Sequence, residues 1–109
     1  MSNFTLGEFE QSLLLAIARL GAAAYGVTIR QEIRARTDRE IAVGALYTSL
    51  ARLERKGFVH STMSDPTPQR GGRARRHFTL TPAGAAALRQ SRDRLARLWE
   101  GLAPDLGSR

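Results

Sequence analysis

The sequence predicts a mainly α-helical fold with one small β-hairpin, in the order helix, helix, helix, hairpin, helix. Three observations carry this. Apolar residues recur at three- and four-residue spacing before Gly57 and after Thr81, the stretch between them alternates β-branched and aromatic residues around a turn-rich "DPTPQRGGRA", and glycine or proline marks the changes of pattern. A chain of 109 residues builds one core and is too short for a catalytic domain beside a separate substrate domain.

In the first segment, "TLGEFEQSLLLAIARLG", Thr5 and Glu8 have capping-box spacing, and Leu6, Phe9, Leu13, Ile17 and Leu20 form one apolar stripe that Gly21 ends. The second, Tyr25 to Thr37, puts Tyr25, Ile29 and Ile33 four apart, with Arg30, Glu32, Arg34 and Arg36 on other faces. After an extended link at Ile41 and Ala42, "GALYTSLARLERKGFV" forms a third helix closed by Lys56 and Gly57. "FVHSTMS" and "RRHFTLT" are the hairpin strands, with a long basic tip between them. Thr81 then caps a helix with Pro82 at its first position, running to about Ala103. The expected organisation is a helix–turn–helix domain with its hairpin over residues 1–80, a helix over 81–103 and a flexible tail over 104–109.

Charge narrows the partner. The net charge is +7, and every basic residue except Lys56 is an arginine, whose planar fork suits phosphate and base edges. Between Arg39 and Arg76, the cations Arg39, Arg52, Arg55, Lys56, Arg70, Arg73, Arg75 and Arg76 meet only Glu40, Glu54 and Asp65, a local +5. The chain has no cysteine, hence no disulfide and no thiolate metal site, and no apolar run of membrane-spanning length. No basic-then-apolar leader opens it, and the expected location is cytoplasmic.

Three helices followed by a two-stranded wing make a winged helix-turn-helix, in which the third helix enters the DNA major groove and the hairpin follows the backbone or minor groove. At 100° per residue, Leu46, Leu50 and Leu53 share one arc of the third helix, and Gly44, Thr48, Ala51, Arg52 and Arg55 lie opposite. Gly44 and Ala45 let the backbone approach base edges, Thr48 and Ser49 offer hydroxyls, Arg52 and Arg55 suit phosphate or guanine, and Tyr47 borders both faces. In the wing, Arg70, Gly71, Gly72, Arg73, Arg75 and Arg76 combine close backbone approach with minor-groove cations. The bland alternative is an ordinary solvated helix face. Sequence-neutral nucleic-acid binding and a protein-interaction module are the other functional classes left open. Catalysis finds no motif here: no GxSxG, no phosphate loop, no metal cluster and no cofactor site.

"GALYTSLARLERKGFV" followed by "GGRARRHFTLTPAG" resembles the signature of PadR-type transcriptional regulators, over nearly the whole chain. The resemblance implies a winged helix with a C-terminal dimerisation helix, acting as a homodimeric repressor on a two-fold symmetric operator in double-stranded DNA and often released by a small-molecule effector. By position it implies that Tyr47, Thr48 and Ser49 read DNA and that Gly71, Gly72 and Arg73 form the wing. The family commonly has proline where this chain has Thr48, and two aromatics where it has His77 and Phe78, so the base preference is not carried over.

In the last helix, Leu88, Leu95, Leu98 and Leu102 fill heptad core positions around Ser91, with Trp99 beside them. The expected dimer interface is Leu88, Leu95, Leu98, Trp99 and Leu102, the Ala-rich start packing on its own domain. Trp99 is also the candidate contact for a flat aromatic effector, although an anchoring role competes. His60 and His77 without an acidic or cysteine partner read as hairpin filler, and Asp93 and Glu100 as surface charges.

Overall fold

The computed structural model describes residues 6–64, 75–102 and 106. Helices α1 (Glu8–Leu20), α2 (Gly26–Thr37) and α3 (Val43–Arg55) precede the antiparallel strands β1 (Val59–Met63) and β2 (Arg76–Leu80), and α4 (Pro82–Trp99) follows. A single 3-10 turn, Gly21–Ala23, separates α1 from α2. This is the predicted order.

Three boundaries differ from the sequence expectation. The capping interaction of α1 is made by Glu10, whose carboxylate accepts from Gly7 N–H at 3.2 Å, so the helix begins after Gly7; Thr5 lies outside the described residues. Tyr25 is not helical but extended, the N-cap of α2, with its N–H donating to Thr28 Oγ1 at 2.9 Å. The last helix stops at Trp99 rather than near Ala103, because Glu100 turns extended and Gly101 takes a positive φ of 78°. Leu102 therefore lies beyond the helix.

The end of α3 follows from one glycine. Gly57 has φ 83°, Gly57 N–H donates to Glu54 C=O at 2.9 Å and Phe58 N–H to Leu53 C=O at 3.0 Å. That paired closure needs a left-handed residue and turns the chain straight into β1. Strand β1 pairs with β2 from Val59↔Leu80 to Met63↔Arg76. Ser64 extends the ladder, donating to Arg75 C=O at 2.8 Å. On its other edge β2 meets Tyr25 through a bridge at His77, and Phe78 N–H donates to Ala24 C=O at 2.9 Å. Strand β2 is thus the middle of three extended segments, which the sequence pattern did not reveal.

Leu13, Leu14 and Ile17 of α1, Ile29 of α2, and Leu46, Leu50 and Leu53 of α3 are the largest fully buried side chains, joined in one core by Phe58, Val59 and Phe78. Each contributes about 1.5–3 kcal/mol relative to exposure. The core ends early on α4. Gly84 and Ala87 are buried and Leu88 packs against the core, whereas Arg92 to Glu100 are all exposed.

The start of α4 is tied to the end of α3 through backbone. Thr81 N–H donates to Phe58 C=O at 3.1 Å, Thr81 Oγ1 donates to Gly57 C=O at 2.6 Å, and Gly84 N–H donates to Thr81 Oγ1 at 3.0 Å. A β-carbon on Gly84 would collide with the Phe58 carbonyl oxygen and crowd the Leu80 side chain. In an exposed helix, Gly to Ala stabilises by about 1 kcal/mol. Here Gly84→Ala is expected to destabilise by about 2 kcal/mol instead, lowering Tm by roughly 10 °C in thermal unfolding. An unchanged or raised Tm would show that α4 can lift off Phe58 without loss.

Candidate nucleic-acid interface

The amphipathic split of α3 places Leu46, Leu50 and Leu53 in the core and leaves Gly44, Ala45, Thr48, Ala51, Arg52 and Arg55 exposed on the opposite side. Small residues at three of these positions keep the helix backbone accessible, and the guanidinium groups stand at its C-terminal half. Ser49 corrects the expectation. It is only 7% exposed, because it sits about 60° from Leu46 on the helical wheel, on the core side.

Tyr47 is 44% exposed, yet its hydroxyl lies directly on the Cα of Gly26, where any β-carbon would collide with it. Gly26, at the first turn of α2, is therefore the seat for the tyrosine. Sequence reading missed Gly26 as a site residue, although a glycine opening a helix was the visible sign.

Ion pairing separates α3 from its neighbours. From Gly26 to Gly57, Arg30 donates to Ile41 C=O at 2.9 Å, Arg34 pairs with Glu40 at 3.0 Å and Arg36 with Glu32 at 2.6 Å. Lys56 pairs with Glu10 at 3.1 Å, and Arg39 lies 5.0 Å over the Phe9 ring. Among the described residues, Arg52 and Arg55 make no such contact. Among these residues their charge has no acidic partner, which favours an anionic one from outside.

At the described base of the wing, Arg75 Cζ lies 4.5 Å from the Tyr25 ring centroid, and His77 meets the same ring edge-on at 5.4 Å. His77 Nε2 is 3.1 Å from Gly21 C=O; a carbonyl only accepts, so the ring carries its proton on Nε2. His60 opposes Thr79 and His77 opposes Thr62, so the two histidines occupy separate rungs. Arg76 Nη1 donates to Ser61 Oγ at 2.9 Å, and Ser61 Oγ donates to both Glu54 carboxylate oxygens at 3.0 and 2.9 Å. The wing is thereby attached to the last turn of α3. Arg70, Gly71, Gly72 and Arg73 lie outside the described residues.

A second, apolar surface lies between α1 and α4. Gln11, Leu15, Leu88, Arg89, Arg92, Leu95, Ala96 and Trp99 line a groove of about 440 Å³. Beyond it Leu98 is 74% exposed, and Leu102 is also exposed. The expected interface residues thus form one face, except that Leu88 is partly buried in its own domain and Leu102 follows the helix end. Among the described residues there is no group of acidic, histidine or cysteine side chains able to hold a metal ion, and no helix long and apolar enough to cross a membrane.

Comparisons with known proteins agree with this architecture. A family model described as the transcriptional regulator PadR-like family matches residues 14–90, from within α1 to the first half of α4. No curated protein matches the sequence. A transcriptional regulator from Clostridium thermocellum is 25% identical, with a TM-score of 0.68 over 83% of this chain and 84% of that one. A PadR family regulator from hypervirulent Clostridium difficile is 25% identical, with a TM-score of 0.65 over 81% and 88% of the two chains. A PadR-like transcription factor from Bacteroides fragilis shares the fold at 23% identity, with a TM-score of 0.69 over 83% and 82%. With the family model covering most of a mainly helical chain that carries one antiparallel wing, the protein belongs to the PadR-like family of transcriptional regulators.

Proposed function

We propose that this protein is a homodimeric repressor that binds a palindromic operator in double-stranded DNA and is released by a small aromatic effector. The observation that carries the reading is the outward face of α3, where Arg52 and Arg55 have no counter-charge among the described residues and stand beside small residues and Thr48. Members of its family regulate transcription, so the activity is binding rather than catalysis.

In this reading residues 1–80 bind DNA and 81–103 dimerise. Gly44, Ala45 and Thr48 approach base edges, Arg52 and Arg55 take guanine or phosphate, and Tyr47, its hydroxyl braced on Gly26, stands at the border. Arg75 and Arg76, with Arg70, Gly71, Gly72 and Arg73 of the tip, follow the backbone and minor groove. A DNA partner makes the cytoplasm the proposed place of action.

The dimer is supported by Leu95, Leu98, Trp99 and Leu102, apolar residues more than half exposed in a single chain. Such a stripe is unfavourable in water and is covered when two copies pair about a two-fold axis. Pairing sets two α3 helices about 34 Å apart, one turn of DNA, and so demands an inverted repeat. The effector is supported by the groove beside Trp99, where Leu15 and Leu95 offer apolar walls and Arg89 and Arg92 offer cations.

The experiment is selection from random duplex DNA at near-physiological salt, followed by titration of the selected site. An enriched inverted repeat bound by two copies supports the regulator; binding without enrichment points to a sequence-neutral protein, and no binding to an interaction module. On the selected site, Arg52→Ala and Thr48→Val are expected to relax discrimination at individual base pairs by about 1–3 kcal/mol each. Identical base preferences in both variants would take α3 out of the reading role. Leu95→Asp is expected to sediment as a monomer and to lose operator affinity by about a hundredfold, since the second half-site is no longer tethered. A dimeric Leu95→Asp protein would move the interface off α4.

A further inference from the structure

Glu54 is an unexpected neighbour for a helix offered to a polyanion. Two ordinary roles are open to it. It could accept from a cytosine amino group, or it could be a passive surface charge that weakens DNA binding. The geometry gives it a different role: both of its oxygens receive the Ser61 hydroxyl, at 3.0 and 2.9 Å, and Ser61 Oγ in turn accepts from Arg76 Nη1 at 2.9 Å.

The direction of this relay is forced. A guanidinium only donates and an ionised carboxylate only accepts, so the single Ser61 proton goes to Glu54 and the oxygen lone pair to Arg76. Both bonds have a charged partner, which makes them stronger than neutral ones. Arg76 stands on the same side of β2 as the buried Phe78, two positions before it, and on that side Ser61, which pairs with Phe78, reaches Glu54 of α3. Glu54 and Ser61 are partly buried while Arg76 is exposed.

The serine between the charges matters. Among the described residues Glu54 and Arg76 form no direct ion pair. A direct pair would use the arginine's fork on the carboxylate. With a hydroxyl between them, one donor holds the side chain in place and the other donors stay available.

We propose that Glu54 is a positioning residue, which acts through Ser61 to hold the Arg76 guanidinium against the last turn of α3, where it takes a DNA backbone phosphate next to the bases that α3 reads. The inference rests on the DNA-binding reading above and adds a role for residues that touch no DNA. An arginine already ordered loses less rotamer freedom on binding, so a carboxylate near the DNA strengthens the complex.

The test is operator affinity and its salt dependence for Glu54→Ala, Ser61→Ala, Arg76→Ala and the paired variants, with thermal melting as a control on folding. Arg76→Ala is expected to weaken binding about tenfold and to reduce the salt slope by about one. Glu54→Ala and Ser61→Ala are each expected to weaken binding about threefold, to have no further effect once Arg76 is alanine, and to melt close to wild type. Ser61→Thr, which keeps the hydroxyl, is expected to bind as wild type does. A repelling carboxylate gives the opposite sign, so tighter binding by Glu54→Ala overturns the proposal. Losses that persist in the Arg76→Ala background overturn it too.

A second measurement is independent of DNA. In the free protein the heteronuclear NOE of Arg76 Nε is expected to fall in Ser61→Ala and Glu54→Ala, and an unchanged value refutes the relay. If wild type selects no duplex while the NOE falls, the DNA reading fails and the phosphate role fails with it, although Glu54 still orders Arg76.

Discussion

The architecture depends on one close backbone crossing, where the start of α4 lies on the carbonyl of Phe58. Glycine at 84 is required because a β-carbon has no room, and Thr81 secures the crossing by bonding at once to Gly57, Phe58 and Gly84. Gly57 is itself in the left-handed region that ends α3. The helix with the uncompensated outward face and the helix with the uncovered apolar stripe are therefore fixed to each other through main chain. Main-chain contacts allow little give. In the proposed dimer, whatever sets the angle between two α4 helices also sets the spacing of two α3 helices.

Strand β2 does the same for the wing. It bonds to β1 on one edge and to Ala24 and Tyr25 on the other, so the strand that begins at Arg76, just after Arg75, is held from both sides. Arg75 rests on Tyr25, which caps α2, and Arg76 is held through Ser61 and Glu54 to α3. Exposed ion pairs such as Arg34–Glu40 add little stability, each about 0–1 kcal/mol. Their consequence is electrostatic instead. By pairing Arg34 and Arg36 of α2 with carboxylates they leave Arg52 and Arg55 of α3 as cations without an acidic partner among the described residues.

Much of this was legible in the sequence, because periodicity reports burial directly. Leu46, Leu50 and Leu53 announced the buried arc of α3, and Thr81 with Pro82 announced the start of α4. Ser49 was misread, since its residue type suggests a donor while its angle places it toward the core. The end of α4 was also misread: a leucine heptad runs on through Leu102, but Gly101 breaks the helix before the pattern ends. Tyr25 as an extended residue pairing with His77 could not be seen, because a single bridge leaves no alternation. Relays such as Glu54–Ser61–Arg76 join residues distant in sequence, and composition gives no sign of which carboxylate turns toward which hydroxyl.

These constraints bear on how the proposed release from DNA would have to work. An effector with equal affinity for the DNA-competent and incompetent arrangements shifts nothing, however tightly it binds. The groove beside Trp99 has one wall on α1, which carries Gln11 and Leu15 within the domain, and the other on α4 from Leu88 to Trp99. The base of α4 is clamped at Gly84 and Ala87, whereas from Arg92 to Trp99 every residue is exposed in the single chain. The distal half is therefore the part that can differ between two arrangements at low cost. In the proposed dimer that same half carries the subunit interface, so the proposed effector, wedged between Leu15 and Leu95, would act on the subunit angle without disturbing the core that shapes α3.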